Sequence, residues 1–67
     1  MKEYKLVTHT FGSAGALFEL QMKSAVTGQW FGMKTSSRLD EVEKFVFEHI
    51  TADDKFSRET CKHTDEA

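Results

Sequence analysis

The sequence predicts an α+β domain: a three-stranded antiparallel β-meander packed on one face by a single α-helix over about 38–50, with a short helical or disordered C-terminal tail. Three observations carry this. From Ala16 to Lys23 the residues alternate with period two, Ala16, Phe18, Leu20 and Met22 on one face and Leu17, Glu19, Gln21 and Lys23 on the other. Such alternation belongs to an antiparallel strand with one covered face. A turn at Thr27-Gly28 leads into a second short strand carrying Trp30, and a single amphipathic stripe follows.

The first strand spans residues 3 to 11, rich in β-branched and aromatic types and without helical periodicity. Tyr4 and Leu6 share one phase while Val7 and Phe11 share the other, so a bulge is expected to reconcile them. Gly12-Ser13-Ala14-Gly15 is a small-residue hairpin turn leading to the second strand, residues 15 to 25. Gly28 takes a positive φ without steric cost at the next turn. The third strand, residues 29 to 35, has Phe31 and Met33 in one phase, facing the helix, and Trp30, Gly32 and Lys34 in the other.

Ser37 is the expected N-cap of the helix, with Asp40 and Glu41 at the positive end of its dipole. Leu39, Val42, Phe45, Val46, His49 and Ile50 form the stripe. His49, near the helix end, is placed to interact with the last carbonyls. Each helical step turns the side chain by about 100°, which carries Phe47 off the stripe towards Glu43. After Ile50 the apolar residues thin to Ala52, Phe56 and Cys61. The sheet-plus-helix domain is therefore drawn over residues 1–57, with a flexible tail over 58–67.

A chain of 67 residues makes one domain. At this size folding hides only about 60% of the surface the unfolded chain exposes. Eleven Leu, Ile, Val and Met residues beyond the initiator, with six Phe, one Trp and one Tyr, suffice for one thin core and leave little for an enclosed catalytic cavity. The sole cysteine, Cys61, excludes an intramolecular disulfide and points to a reducing compartment. No apolar run of signal-peptide length opens the chain, and none approaches the roughly 18 residues of a membrane span. A cytoplasmic location is expected.

The net charge of −2 is unevenly divided. Residues 1–36 hold four Lys against two Glu, and residues 37–67 hold five bases against nine acids, so the halves carry +2 and −4. A polarised molecule of this kind can dock by electrostatic steering.

Few residues suggest catalysis or metal chemistry. His9, His49, His63 and Cys61 are the soft metal ligands, but Cys61-Lys62-His63 has neither the C-x2-C spacing of a zinc site nor a second pair elsewhere. Cys61 and His63 stand in the segment with the least to hold a reactive geometry, and Gly12-Ser13-Ala14-Gly15 lacks the Lys of a phosphate loop. No catalytic, cofactor or metal residue is assigned, and the chain is read as a non-enzyme.

The surface is more informative. A three-stranded sheet with one helix leaves a face open, with Trp30 placed there near Leu17. An exposed Trp with apolar neighbours is a common binding anchor. Partner-binding residues are accordingly expected at Leu17, Glu19, Gln21, Lys23, Trp30 and Lys34 on the sheet and at Glu43 and Phe47 on the acidic helix. The expected function is a protein-interaction module that binds one larger protein. Short acidic sheet-plus-helix chains are common among phage and mobile-element accessory proteins that inhibit or redirect host proteins, an analogy of size and architecture. Homodimerisation through an unprotected strand edge or the Trp30 face would cover the same patch.

The alternative is DNA binding through the sheet, with Lys5, Gln21, Lys23, Trp30 and Lys34 as the contacting side chains. The predicted meander backed by one helix resembles the architecture of integrase arm-binding and plant AP2-type domains, which implies a sheet laid in the major groove. Those domains are strongly basic and Arg-rich at the sheet, whereas this chain has no Arg before Arg38 and is net acidic.

Overall fold

In the computed structural model, which describes residues 2–63, the chain runs β1 (Glu3–Thr10), β2 (Ala16–Lys23), β3 (Trp30–Ser36), α1 (Leu39–His49) and β4 (Lys55–Lys62). The strands lie side by side in the order β3-β2-β1-β4. The antiparallel meander is formed by β1, β2 and β3, and β4 adds to it in parallel beside β1. The α+β class therefore holds, but the sheet is four-stranded and mixed. Parallel strands cannot be joined by a tight turn, and α1 serves as the crossover that carries the chain from one sheet edge to the other.

The expected helical or disordered tail is thus corrected to a strand, and a boundary at residue 58 falls in the middle of it. Residues 64–67 of that tail lie outside the described residues. Sequence periodicity had little to register in Lys-Phe-Ser-Arg-Glu-Thr-Cys-Lys, because Phe56 is its only large apolar residue. The ladder to β1 supplies what the pattern lacks: Lys55 N donates to Lys2 O at 2.8 Å at one end and His63 N to Thr10 O at 2.8 Å at the other. Asp54 aligns the start of this pairing. Its carboxylate accepts from the backbone amides of Lys2 at 3.0 Å and Thr51 at 3.1 Å, and these bonds draw its pKa below the usual range.

The core lies between the sheet and α1. Leu20 and Val42 are fully buried, Tyr4 and Leu6 nearly so, and Phe18, Met22, Phe45, Val46, Ile50 and Phe56 pack around them. The covered phase of β2 is the expected one from Phe18 onward. The bulge is displaced from its expected place: β1 pairs with β2 in unbroken register, and the irregularity falls in β3, where Leu20 pairs with Lys34 but Gln21 with Gly32, leaving Met33 as the extra residue.

That one residue reverses the phase of β3 beyond it. Lys34 shares the side of its partner Leu20, facing the helix layer, and is removed from the Trp30 face on which it was expected. Phe31 keeps the helix side opposite Met22, yet it is 45% exposed, and Met33 at the bulge is 37% exposed, so neither is core.

The helix matches the predicted span within a residue at each end, but Ser37 is not its cap. Arg38 occupies that position without a side-chain cap bond; Ser36 Oγ accepts from the Arg38 amide at 3.1 Å, and the Arg38 guanidinium reaches Asp40 at 3.2 Å. At the other end His49 Nδ1 pairs with the Phe45 carbonyl at 3.0 Å, as expected. Gly28, at φ 76°, closes the β2–β3 turn, in which Ser24 N donates to Gln29 O. Among the described residues no helix is long and apolar enough to cross a membrane.

Candidate functional site

Helix α1 covers one side of the sheet, and the other side presents side chains from all four strands. The register places Lys5, Val7 and His9 of β1, Leu17, Glu19, Gln21 and Lys23 of β2, Trp30 and Gly32 of β3, and Ser57, Glu59 and Cys61 of β4 on that open side. Val7 is its one buried residue, at 5% exposure, flanked by Glu19 and Glu59 in the neighbouring strands.

Two polar clusters occupy this face. In the first, Lys5 Nζ lies 3.1 Å from Glu59 Oε2 and 4.4 Å from the centre of the Trp30 ring, spanning the sheet from β4 to β3. A cation over the indole face is attracted by its negative quadrupole. Trp30 is therefore half-buried under an ammonium and is no bare hydrophobic patch. Leu17, its expected neighbour, pairs with His9 at the far end of the sheet, six residues along β2 from the Lys23 that opposes Trp30. At about 3.4 Å per residue the two are roughly 20 Å apart.

The second cluster centres on Glu19. Its Oε1 lies 2.9 Å from His9 Nε2 and accepts from Gln21 Nε2 at 2.9 Å. Its other oxygen lies over Gly32, where a Cβ would come within 2.6 Å of it, so the missing side chain at residue 32 makes room for the carboxylate. Partial burial is the largest influence on the Glu19 pKa and pushes it up. The hydrogen bonds from His9 and Gln21, with the charges of His9 and Lys5, together outweigh it and hold the carboxyl below its usual range. On its other edge the His9 ring meets His63, with His9 Nδ1 2.9 Å from His63 Nε2. The His63 ring stacks on Phe11 at 4.7 Å between centres and 12° between planes. Cys61, directly opposite His9 in the β1–β4 register, completes the group: one ligand atom each from His9, Cys61 and His63 lies within 4.8 Å of the others.

The helix carries a second surface of different character. Phe47 is 89% exposed, and one turn earlier Glu43 Oε1 accepts from Arg58 Nη2 of β4 at 2.9 Å. Asp40 and Glu41 pair with Arg38 at the start of the helix, and Glu48 lies beside Lys34 and Lys44 on another side of it.

Of the expected partner-binding residues, Leu17, Glu19, Gln21, Lys23 and Trp30 share the open sheet face, Glu43 and Phe47 share the helix, and Lys34 stands on the helix side beside Glu41, Lys44, Phe45 and Glu48. The sequence reading missed two neighbourhoods on this face, Lys5 with Glu59 and His9 with Cys61 and His63. The two-residue spacing of Cys61 and His63 fits one face of a strand, but only the β1–β4 pairing brings His9 beside them. Comparison with protein-family models, curated proteins and solved structures finds no match to this chain.

Proposed function

We propose that this chain is a small interaction module that binds a larger protein through α1, with Phe47 as its anchor. The observation that carries this reading is the 89% exposure of an aromatic side chain on a helix whose opposite stripe is fixed in the core. An aromatic ring held on a rigid element loses little entropy on docking and fills a partner's pocket, the usual character of a hot spot. Glu43, one turn before Phe47, and Asp40, two turns before it, share its face of the helix; paired with Arg58 and Arg38 in the free chain, they suit a pocket rimmed by lysine and arginine. Occupying such a site would inhibit or redirect the bound protein. A phage or mobile-element source, with a host protein as target, rests on size and architecture.

The DNA-binding alternative draws less support from the open face. Its lysines, Lys5, Lys23 and Lys55, are balanced by Glu3, Glu19 and Glu59, and Lys5 is held by Glu59 and Trp30. A neutral face gains little from counterion release on a phosphate backbone.

The test compares immobilised wild-type, Phe47→Ser and Trp30→Ala chains in extracts of cells that produce the protein. A protein retained by wild type and Trp30→Ala but lost with Phe47→Ser is the expected result. Equal retention by all three would remove the helix from the reading. Duplex DNA that shifts the amide resonances of Lys5, Lys23 and Trp30 at low salt would put the sheet in its place.

A further inference from the structure

We propose that His9, Cys61 and His63 form a zinc-binding site at one end of the open sheet face, with Glu19 as the carboxylate that orients His9. The site is independent of the helix surface. It is assembled by the least predictable feature of the fold, the parallel pairing of β4 with β1. His9 and Cys61 are direct partners in that ladder, and His63 follows where its amide donates to the Thr10 carbonyl at 2.8 Å.

The geometry needs little adjustment. Zinc bonds of about 2.0–2.1 Å to nitrogen and about 2.3 Å to sulfur, arranged tetrahedrally, hold the ligand atoms roughly 3.3–3.7 Å apart. Here the two imidazole nitrogens are 2.9 Å apart and all three ligand atoms lie within 4.8 Å of one another. Side-chain rotation suffices to place them around one ion. Three protein ligands leave the fourth position to water or an exogenous donor.

The surroundings prepare His9 as a ligand. Glu19 is a carboxylate and can only accept, so in the neutral imidazole, the form that binds a metal, His9 Nε2 carries the proton and Nδ1 presents its lone pair on the His63 side. A histidine that donates its remote N–H to a carboxylate while its other nitrogen faces the metal is the usual outer-shell arrangement of zinc sites. Glu19 is itself held by Gln21 and accommodated over Gly32. His63 is steadied by stacking on Phe11.

The donor set selects the class of metal. Two neutral imidazoles and a thiolate suit zinc and its neighbours and are poor ligands for magnesium or calcium, which take oxygen. Binding breaks the S–H bond of Cys61 and forms a zinc–sulfur bond, releasing that proton to solvent. The His63 proton moves from Nε2 to Nδ1, and Nε2 coordinates in its place. Cys61 is exposed, which gives the ion a path in.

The test uses the full, reduced, untagged chain titrated with Co2+ as a spectroscopic stand-in and then with Zn2+. One equivalent of cobalt should produce a thiolate-to-metal charge-transfer band, which zinc abolishes by displacement, and zinc should raise the thermal unfolding midpoint. Cys61→Ser should lose the band, and His63→Ala should weaken binding at least tenfold. Glu19→Ala should keep the band while lowering affinity about 10–100-fold. Ring resonances of His9 and His63 should move on zinc addition while those of His49, bonded to the Phe45 carbonyl on α1, stay in place. The His63 side chain is exposed and follows the last residue of β4, so its variant keeps the fold and the test stays decisive. No saturable binding, a band unchanged in His63→Ala, or one metal shared between two chains would each overturn the proposal.

Discussion

The two faces of this sheet are built from the same strands by opposite physics. On the helix side Tyr4, Leu6, Leu20 and Val42 are buried, and apolar area removed from water holds the layers together. On the other side only Val7 is buried, and Lys5, His9, Glu19, Gln21 and Glu59 are arranged by hydrogen bonds and charge. Partly exposed polar contacts add little to stability, yet they fix the directions of donors and acceptors. Burial on the covered face supports the stability of the domain, and the open face orders polar side chains at little cost to folding.

Three substitutions sharpen or break that comparison. The largest effect is expected at Leu20, which has no exposed surface: Leu20→Ala should cost about 2–5 kcal/mol. A domain of this size has only a few kcal/mol in hand, so urea titration should find the variant largely unfolded at room temperature. A loss under about 1 kcal/mol would show that the core is not where stability resides.

The intermediate effect concerns Glu19 and pH. Its pKa is lowered in the folded chain, so its network stabilises fully above the unfolded glutamate pKa and is lost as pH falls through the folded value. Wild type should exceed Glu19→Gln by no more than about 1.5 kcal/mol at neutral pH, a difference that closes in acid below the folded pKa. A gap that persists after protonation would mean that the negative charge of Glu19 is not what the network depends on. The smallest effect belongs to Phe47, whose side chain meets solvent: Phe47→Ser should change stability by less than about 0.5 kcal/mol in the same titration. A larger loss would place Phe47 in the core and remove it as a docking anchor.

How far the fold could be read in advance followed from how much apolar pattern each element carries. Strand β2 and helix α1 bury one phase or stripe of large side chains, so both were legible to within a few residues. Strand β4 buries only Phe56 to any degree, and its pairing rests on backbone bonds that any sequence can make. Strand β3 shows a third case: its existence was legible, but the bulge at Met33 was not, and one extra residue was enough to carry Lys34 to the other side. The open-face residues Leu17, Glu19, Gln21, Lys23 and Trp30 were correctly grouped on one side, because alternation alone assigns sides. What lies beside what on that side depends on register and strand order, which separated Leu17 from Trp30 and brought Lys5 over the indole.

The amino-acid sequence by itself determined an α+β domain with an alternating central strand and one amphipathic helix, because local periodicity dictates which side chains leave water. Only the tertiary structure decided that β4 runs parallel to β1. That contact joins residues more than fifty positions apart through main-chain hydrogen bonds, which carry no side-chain signature. The same contact brings one ligand atom each of His9, Cys61 and His63 within 4.8 Å of the others, so this cluster depends on the least legible part of the fold.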